Sequence, residues 1–259
     1  MVISNGAIES NRIVFSQKIL RTLGAILIVC GLLGAVNAKE KDGWWQNSSK
    51  TKQGAFIGAE FGLGETYIGL LSSAVAGSGF SPNINLIGGY HWYFMDEPYF
   101  HLGLRLKGHF GYSYHGADLY AYGLSNNGSS ISADVHSIQG GIEPSFIWDF
   151  LDYKKHTLGA FFSPLGFEIG GYFGSLSANQ NMGALPNNSI ELTSYVKFIY
   201  MLNWGVHYYY NAKHFVFVGH RYRKVFGGYS ANKVQGGKTS YGFIALPSHS
   251  FVISYGYKF

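Results

Sequence analysis

From residue 54 onward, apolar and polar positions alternate with a period of two, in eight bouts separated by turns. Side chains on a β-strand point to opposite faces in turn, so each bout predicts a strand with two unlike faces. The clearest lies over 99–112. Phe100, Leu102, Leu104, Leu106, Phe110 and Tyr112 share one face, and His101, Gly103, Arg105, Lys107, His109 and Gly111 share the other. Weaker versions of the pattern predict strands over 54–64, 83–94, 137–150, 157–173, 192–210, 215–226 and from about 241 to 259. The alternation blurs at Phe161-Phe162-Ser163-Pro164, where a bulge or kink is expected.

The connections fall into two kinds. Met95–Pro98, Tyr153–His156 and Asn211–His214 are short and mostly charged, whereas 65–82, 113–136, 174–191 and 227–240 are long and rich in Gly, Ser and Asn. Eight antiparallel strands whose termini share one end need three connections at that end and four at the other, and the count closes. Short turns on the inner side and longer loops on the outer side are the habit of transmembrane barrels of the bacterial outer membrane.

The faces agree with that reading. A tilted strand crosses the apolar layer with ~9–11 residues, and each predicted strand supplies that many. In a soluble eight-stranded barrel of the lipocalin kind the apolar face points inward and the exterior is charged. Here the second face is small, Gly-rich and sparsely charged, which would make a poorly solvated exterior. The last strand sets Phe251, Ile253, Tyr255, Tyr257 and Phe259 on one face against Ser250, Val252, Ser254, Gly256 and Lys258 on the other. An aromatic-faced strand of this kind is an aggregation hazard in water but a closing strand in a membrane. The expected fold is all-β, a membrane-spanning antiparallel up-and-down barrel of eight strands over 54–259.

The N-terminal part has a different character. An apolar run over 23–35 is preceded by Lys18 and Arg21 and followed by Val36-Asn37-Ala38, the layout of a secretory signal cleaved after Ala38. Residues 39–53 then read as a polar periplasmic lead-in, with Trp44-Trp45 as interface or packing residues. The single cysteine, Cys30, lies within the signal, so the remaining chain is expected to hold without disulfides. Beyond residue 38 there are 16 basic and 13 acidic residues, scattered rather than clustered, and nucleic acid is not an expected partner.

The Gly-aromatic rhythm over 54–259 and the ending SFVISYGYKF resemble the outer-membrane β-barrel superfamily. More narrowly, GAFIGAEFG at 54–62 and YGYKF at 255–259 are similar to the smaller Helicobacter outer membrane proteins. Large members of that family include adhesins and porins, with a big external domain and paired cysteines. This chain has neither, so a receptor-binding role does not carry over. The resemblance of the last strand also implies a contact with the barrel assembly machinery during insertion.

The lumen of an eight-stranded barrel is just wide enough for side chains to fill. Alternation aims Glu60, Glu143 and Glu168 inward beside Arg105, Lys107, Lys197, Arg221 and Arg223. Buried charges persist only when paired, so an ion-pair plug is expected, with Arg105 as the residue whose loss strands a carboxylate. A charged solute pathway is the alternative. His91 and His101 face inward near one turn without a third ligand at suitable spacing, so no metal site or cofactor is assigned. Barrel enzymes that cut lipids pair His and Ser two apart on one face. Here Ser250 directly follows His249, Ser137 directly follows His136, and Tyr222 stands two from His220. The chain is therefore expected to be a non-enzymatic, monomeric outer-membrane protein whose partners are lipid and an environmental or host ligand at its loops. A small porin-like channel ranks second and a lipid-modifying enzyme third.

This topology is open to a direct check. A tag inserted at 125–129 should be reachable from outside intact cells and one at Lys154-Lys155 should not; the reverse pattern would invert the orientation.

Overall fold

In the computed structural model, residues 49–70, 75–97, 100–121, 130–178, 190–226, 231–233 and 240–259 are described. Residues 1–38, read above as a secretory signal, and Trp44-Trp45 lie outside them. The period-two segments form β1 (Gly54–Leu70), β2 (Val75–Glu97), β3 (Phe100–Ala121), β4 (Ser130–Tyr153), β5 (His156–Ala178), β6 (Ile190–Tyr210), β7 (His214–Phe226) and β9 (Ser240–Lys258). Each pairs antiparallel with the next, and β9 pairs back onto β1, so eight strands close a ring. A three-residue strand, β8 (Ala231–Lys233), within the connection 227–240, pairs with β9 outside that ring. Among the described residues it raises the strand total to nine and leaves the barrel at eight.

Closure runs from Phe56↔Lys258 to Leu70↔Phe243, broken by one shift near Glu65, and the amide of Phe259 donates to the Ala55 carbonyl at 2.9 Å. The bulge expected in the fifth strand is present as register shifts between Ser163 and Gly166 against β6 and between Ile142 and Phe146 against β4. It switches the parity of the strand, so that Phe161 points inside while Phe167, also at an odd position, points outside.

Strands run further outward than the apolar alternation indicates. β3 and β4 stay paired to Tyr120↔Ser130, well past the belt residues Tyr112 and Ile138. Above the lipid, outward positions no longer need to be apolar, so the two-residue signal fades while the backbone ladder continues. Among the described residues the turn ends are tight. Lys154, Asn211 and Ala212 take left-handed φ of 54–55°, and Lys213 closes its turn on the Tyr210 carbonyl. Positive φ at two successive residues, Asn211 and Ala212, matches the twist of the flanking strands.

The two faces are partitioned inside out. Leu86, Phe110, Ile142, Phe167, Val196 and Ile253 are exposed on the outer wall, while Glu60, Arg105, Glu143 and Arg221 are at most 1% exposed within. A closed ring leaves no open sheet edge, the condition for crossing a bilayer with β-structure. With its apolar belt outward, the protein is an integral barrel of the bacterial outer membrane. Small inner positions leave room for large ones opposite. A Cβ placed on Gly256 would meet the Phe215 ring at 2.1 Å.

Gly256→Val should therefore lower stability by about 1–3 kcal/mol through overpacking, whereas Ile253→Leu on the lipid face should stay within about 0.5 kcal/mol. Urea unfolding of the refolded protein in lipid checks both. Equal effects would contradict the assigned faces.

Candidate functional site in the barrel lumen

The inner faces of the strands fill the barrel in stacked tiers. At the turn end, the four-residue helix α1 (Ser49–Lys52) turns back under the ring. Lys52 is fully buried, with Nζ 2.6 Å from Asp149 and 3.2 Å from Asp152. The same ammonium lies 2.7 Å from Nδ1 of His101, which must then accept, leaving Nε2 to donate to Asp96 at 2.8 Å. Asp149 also takes His207 at 2.6 Å and the Tyr93 hydroxyl at 3.3 Å. Lys258 donates to the carbonyls of Thr51 and Gln53, and Gln53 to that of Tyr93. The chain entering the barrel is thus fastened across its inner mouth.

Above this lies an aromatic tier of Phe56, Tyr93, Phe161, Tyr209, Phe215 and Phe217, with Ile147 and His91. His91 stacks on Phe56 with centroids 4.5 Å apart, and its Nδ1 is 3.2 Å from the Tyr209 hydroxyl. The Arg105 guanidinium sits 4.1 Å from the centroid of Phe217 and 4.7 Å from that of Phe161. It joins the aromatic tier to the charged one, since Nη2 also reaches Ser145 at 3.0 Å and Glu143 at 3.5 Å.

The charged tier is centred on two carboxylates. Arg221 holds Glu60 by both oxygens: Nη2 donates to Oε2 at 2.8 Å, and Nη1 lies 2.7 Å from Oε1 without the alignment of a hydrogen bond. Lys107 bridges Glu60 at 2.9 Å and Glu143 at 3.0 Å. Asn85 and Ser254 donate to Glu60; Ser163 and Asn203 donate to Glu143. Two buried anions are thus each met by more than one cation and by neutral donors, the arrangement in which burial of charge is tolerable. Toward the outer end, Glu168 takes His109 at 2.9 Å and Arg223 at 3.3 Å, and Lys197 lies over the Tyr172 ring at 5.3 Å.

All eight charged residues assigned inward from the sequence are buried. The pairing differs from the expectation in one respect. Arg105 is not the main partner of a carboxylate, because its long side chain turns down between two rings; Arg221, reaching both Glu60 and Glu143, holds that place. His91 and His101 both face inward but belong to different tiers with separate partners, and among the described residues no group of His, Cys, Asp and Glu could hold a metal ion. Asn85, His109, Asn203 and His207, which strand parity sets on the inner face, are buried there. Asp149 and Asp152, which the sequence reading did not single out, join them, Asp149 at the parity its neighbour Trp148 implies. Lys52 could not be found that way, since it lies before the first strand where no period operates. His115, with Nε2 3.2 Å from Ser137 and Nδ1 near Ser81 and Thr66, is a cross-strand contact that neighbouring positions in sequence do not reveal. On the closing strand, Phe251, Ile253, Tyr255 and Phe259 are exposed outward, with Tyr257 partly covered.

No protein-family model matches the chain. No curated protein matches it in sequence either. It is similar in fold to the outer membrane protein OprG from Pseudomonas aeruginosa, at 17% identity and a TM-score of 0.44 over 80% of this chain and 96% of that one. It is likewise similar to Neisserial surface protein A, at 14% identity and 0.35 over 80% and 99%. The attachment invasion locus protein Ail of Yersinia pestis matches at 12% identity and 0.35 over the same shares.

The pairing sets an order of sensitivity. Arg221→Ala should cost about 3–5 kcal/mol, because it leaves two buried carboxylates short of a cation. Arg105→Ala should cost less, since Glu143 keeps Lys107 and Arg221. Equilibrium unfolding in lipid reads both, and the opposite order would contradict the network.

Proposed function

We propose that the protein is a non-conducting outer-membrane barrel whose role lies at the cell surface, where its outward strand extensions and loops meet a ligand of the host or environment. The observation that carries this reading is the filled lumen. A fastened inner mouth, an aromatic tier and a paired charged tier stack across the same cross-section, leaving the interior a scaffold and the outer rim the part free to vary. The rim is stiff enough to present loops. Hydrogen-bonded pairing of β3 and β4 continues beyond the lipid belt, and Tyr114 donates to Asp134 at 2.6 Å across it. On its two ends the chain resembles the smaller Helicobacter outer membrane proteins, and we place it beside them.

The reading is also non-enzymatic. His249 is exposed on the outer wall while Ser250 is buried inside, and His136 and Ser137 divide in the same way, so neither sequence-adjacent pair meets on one face.

A small channel is the second reading. Glu168 Oε1, Arg223 Nε and Ser250 Oγ are polar atoms of the outer half without a hydrogen-bond partner from the protein, a charged and polar lining of the kind a narrow ion pathway uses. Planar-bilayer recording separates the two. The refolded protein should show no steady conductance, while the triple variant Lys52→Ala/Arg105→Ser/Phe217→Ala should open a pathway. Steady ohmic steps from the unaltered protein would favour the channel.

A further inference from the structure

The belt that meets lipid is not uniform around the ring. On β2 to β5 it is built from large apolar side chains such as Leu86, Phe110, Ile142 and Phe167. On the flank formed by β7, β9 and β1 it changes character. On β1 and β9 apolar side chains persist, with Ile57, Phe61, Leu63, Phe251, Ile253 and Tyr255 exposed, but the outward positions of β7 run Val216, Val218, His220, Tyr222 and Lys224, and those of β1 also include Ala55, Ala59 and Glu65.

Tyr222, His249 and Glu65 lie in one hydrogen-bonded row across the three strands. His249 is 5.3 Å from His220 and 5.0 Å from Tyr222 between ring centroids, and His220 packs on Trp204 at 4.6 Å. The Nδ1 of His220 is covered and makes no hydrogen bond. Ionisable side chains on the lipid face of a barrel are costly, most of all near mid-depth. His220 pairs in register with Phe251, within the belt rather than at its rim. The strip formed by His220, Tyr222, His249 and Glu65 is therefore the part of this flank that is poorly matched to acyl chains.

We propose that the β7–β9–β1 flank is the contact surface between two copies of this chain standing side by side in the membrane. Two barrels inserted in the same direction can be related by a two-fold axis along the membrane normal. With that axis in front of β9, β9 faces its counterpart and β1 of each copy faces β7 of the other. The register then decides what meets.

Pairing followed from Tyr93 passes through Gly103, Ile147, Phe161, Gly205, Gly219, Val252 and Gly62, and returns to β2 at Asn83, ten residues nearer the outside. A hydrogen-bonded row therefore descends by about 2.5 residues over the two steps from β1 to β7. Lys224, two residues above Tyr222, stands at the height of Glu65. The two-fold rotation sets Glu65 of one copy against Lys224 of the other, and does so twice. Both side chains are exposed on the outer wall. Charge complementarity of a surface with itself is what singles out a second copy rather than an unlike barrel, and Ala59 opposite Val218 lets the walls approach closely. The inference departs from the monomer expected from the sequence.

The test keeps the full chain in its own membrane. In a Cys30→Ser background, Glu65→Cys/Lys224→Cys should form a disulfide-linked dimer under mild oxidation, at least fivefold above Phe110→Cys/Ile138→Cys on the opposite wall. The shift in gel mobility between unheated and heated samples confirms insertion of each. Glu65→Lys should lower the dimer fraction severalfold by native mass spectrometry, and Glu65→Lys/Lys224→Glu should restore it. Cross-linking no greater than the opposite-wall pair, cross-linking to a protein of another mass, or a charge exchange that fails to restore the dimer would each overturn the proposal.

Discussion

Lipid offers no hydrogen bonds, so every backbone amide and carbonyl within the bilayer must be met by the protein itself. That constraint governs this molecule. It forces β9 onto β1, and a ring of eight strands with a stagger of ten residues fixes a narrow interior. The interior is then too small for a wide aqueous passage and too polar to be left bare. The charged residues are a consequence of this geometry: each carboxylate in the middle of the barrel must find its counterions among side chains that the ring brings within reach.

The interior is solved in two ways. Where Glu60 and Glu143 lie close together, Arg221 and Lys107 bridge them, and Asn85, Asn203, Ser163 and Ser254 satisfy the remaining lone pairs. Where the lumen must be sealed without charge, aromatic rings from opposite strands interlock over glycines. Arg105 belongs to both solutions, with its planar face on two rings and its edge toward Ser145 and Glu143. A lysine there would keep the charge and lose the stacking.

Much of this was legible because a period of two is the simplest signal a sequence carries. Parity alone aims Glu60, Arg105, Lys107 and Arg221 inward, and it sends Leu104 and Ile253 outward. Parity does not say which partner each side chain chooses. Register and stagger decide that, and they bring Glu60 of the first strand to Arg221 of the seventh, far away in sequence. Parity also fails before the first strand, where Lys52 lies, and above the lipid, where outward positions can be polar while the ladder persists. The seam on β7, β9 and β1 is visible only once the strands are arranged in a ring.

The central claim is an inside-out barrel whose lumen is filled at mid-depth. Proton spin diffusion in solid-state NMR of the protein in lipid bilayers measures it without any substitution. Magnetisation starting on acyl-chain protons should reach Leu104, Leu106 and Phe110 first, and magnetisation starting on water should arrive late at Arg105, Phe161 and Phe217. Rapid transfer from water to Arg105 and Phe217, at rates typical of a hydrated pore, would contradict the account.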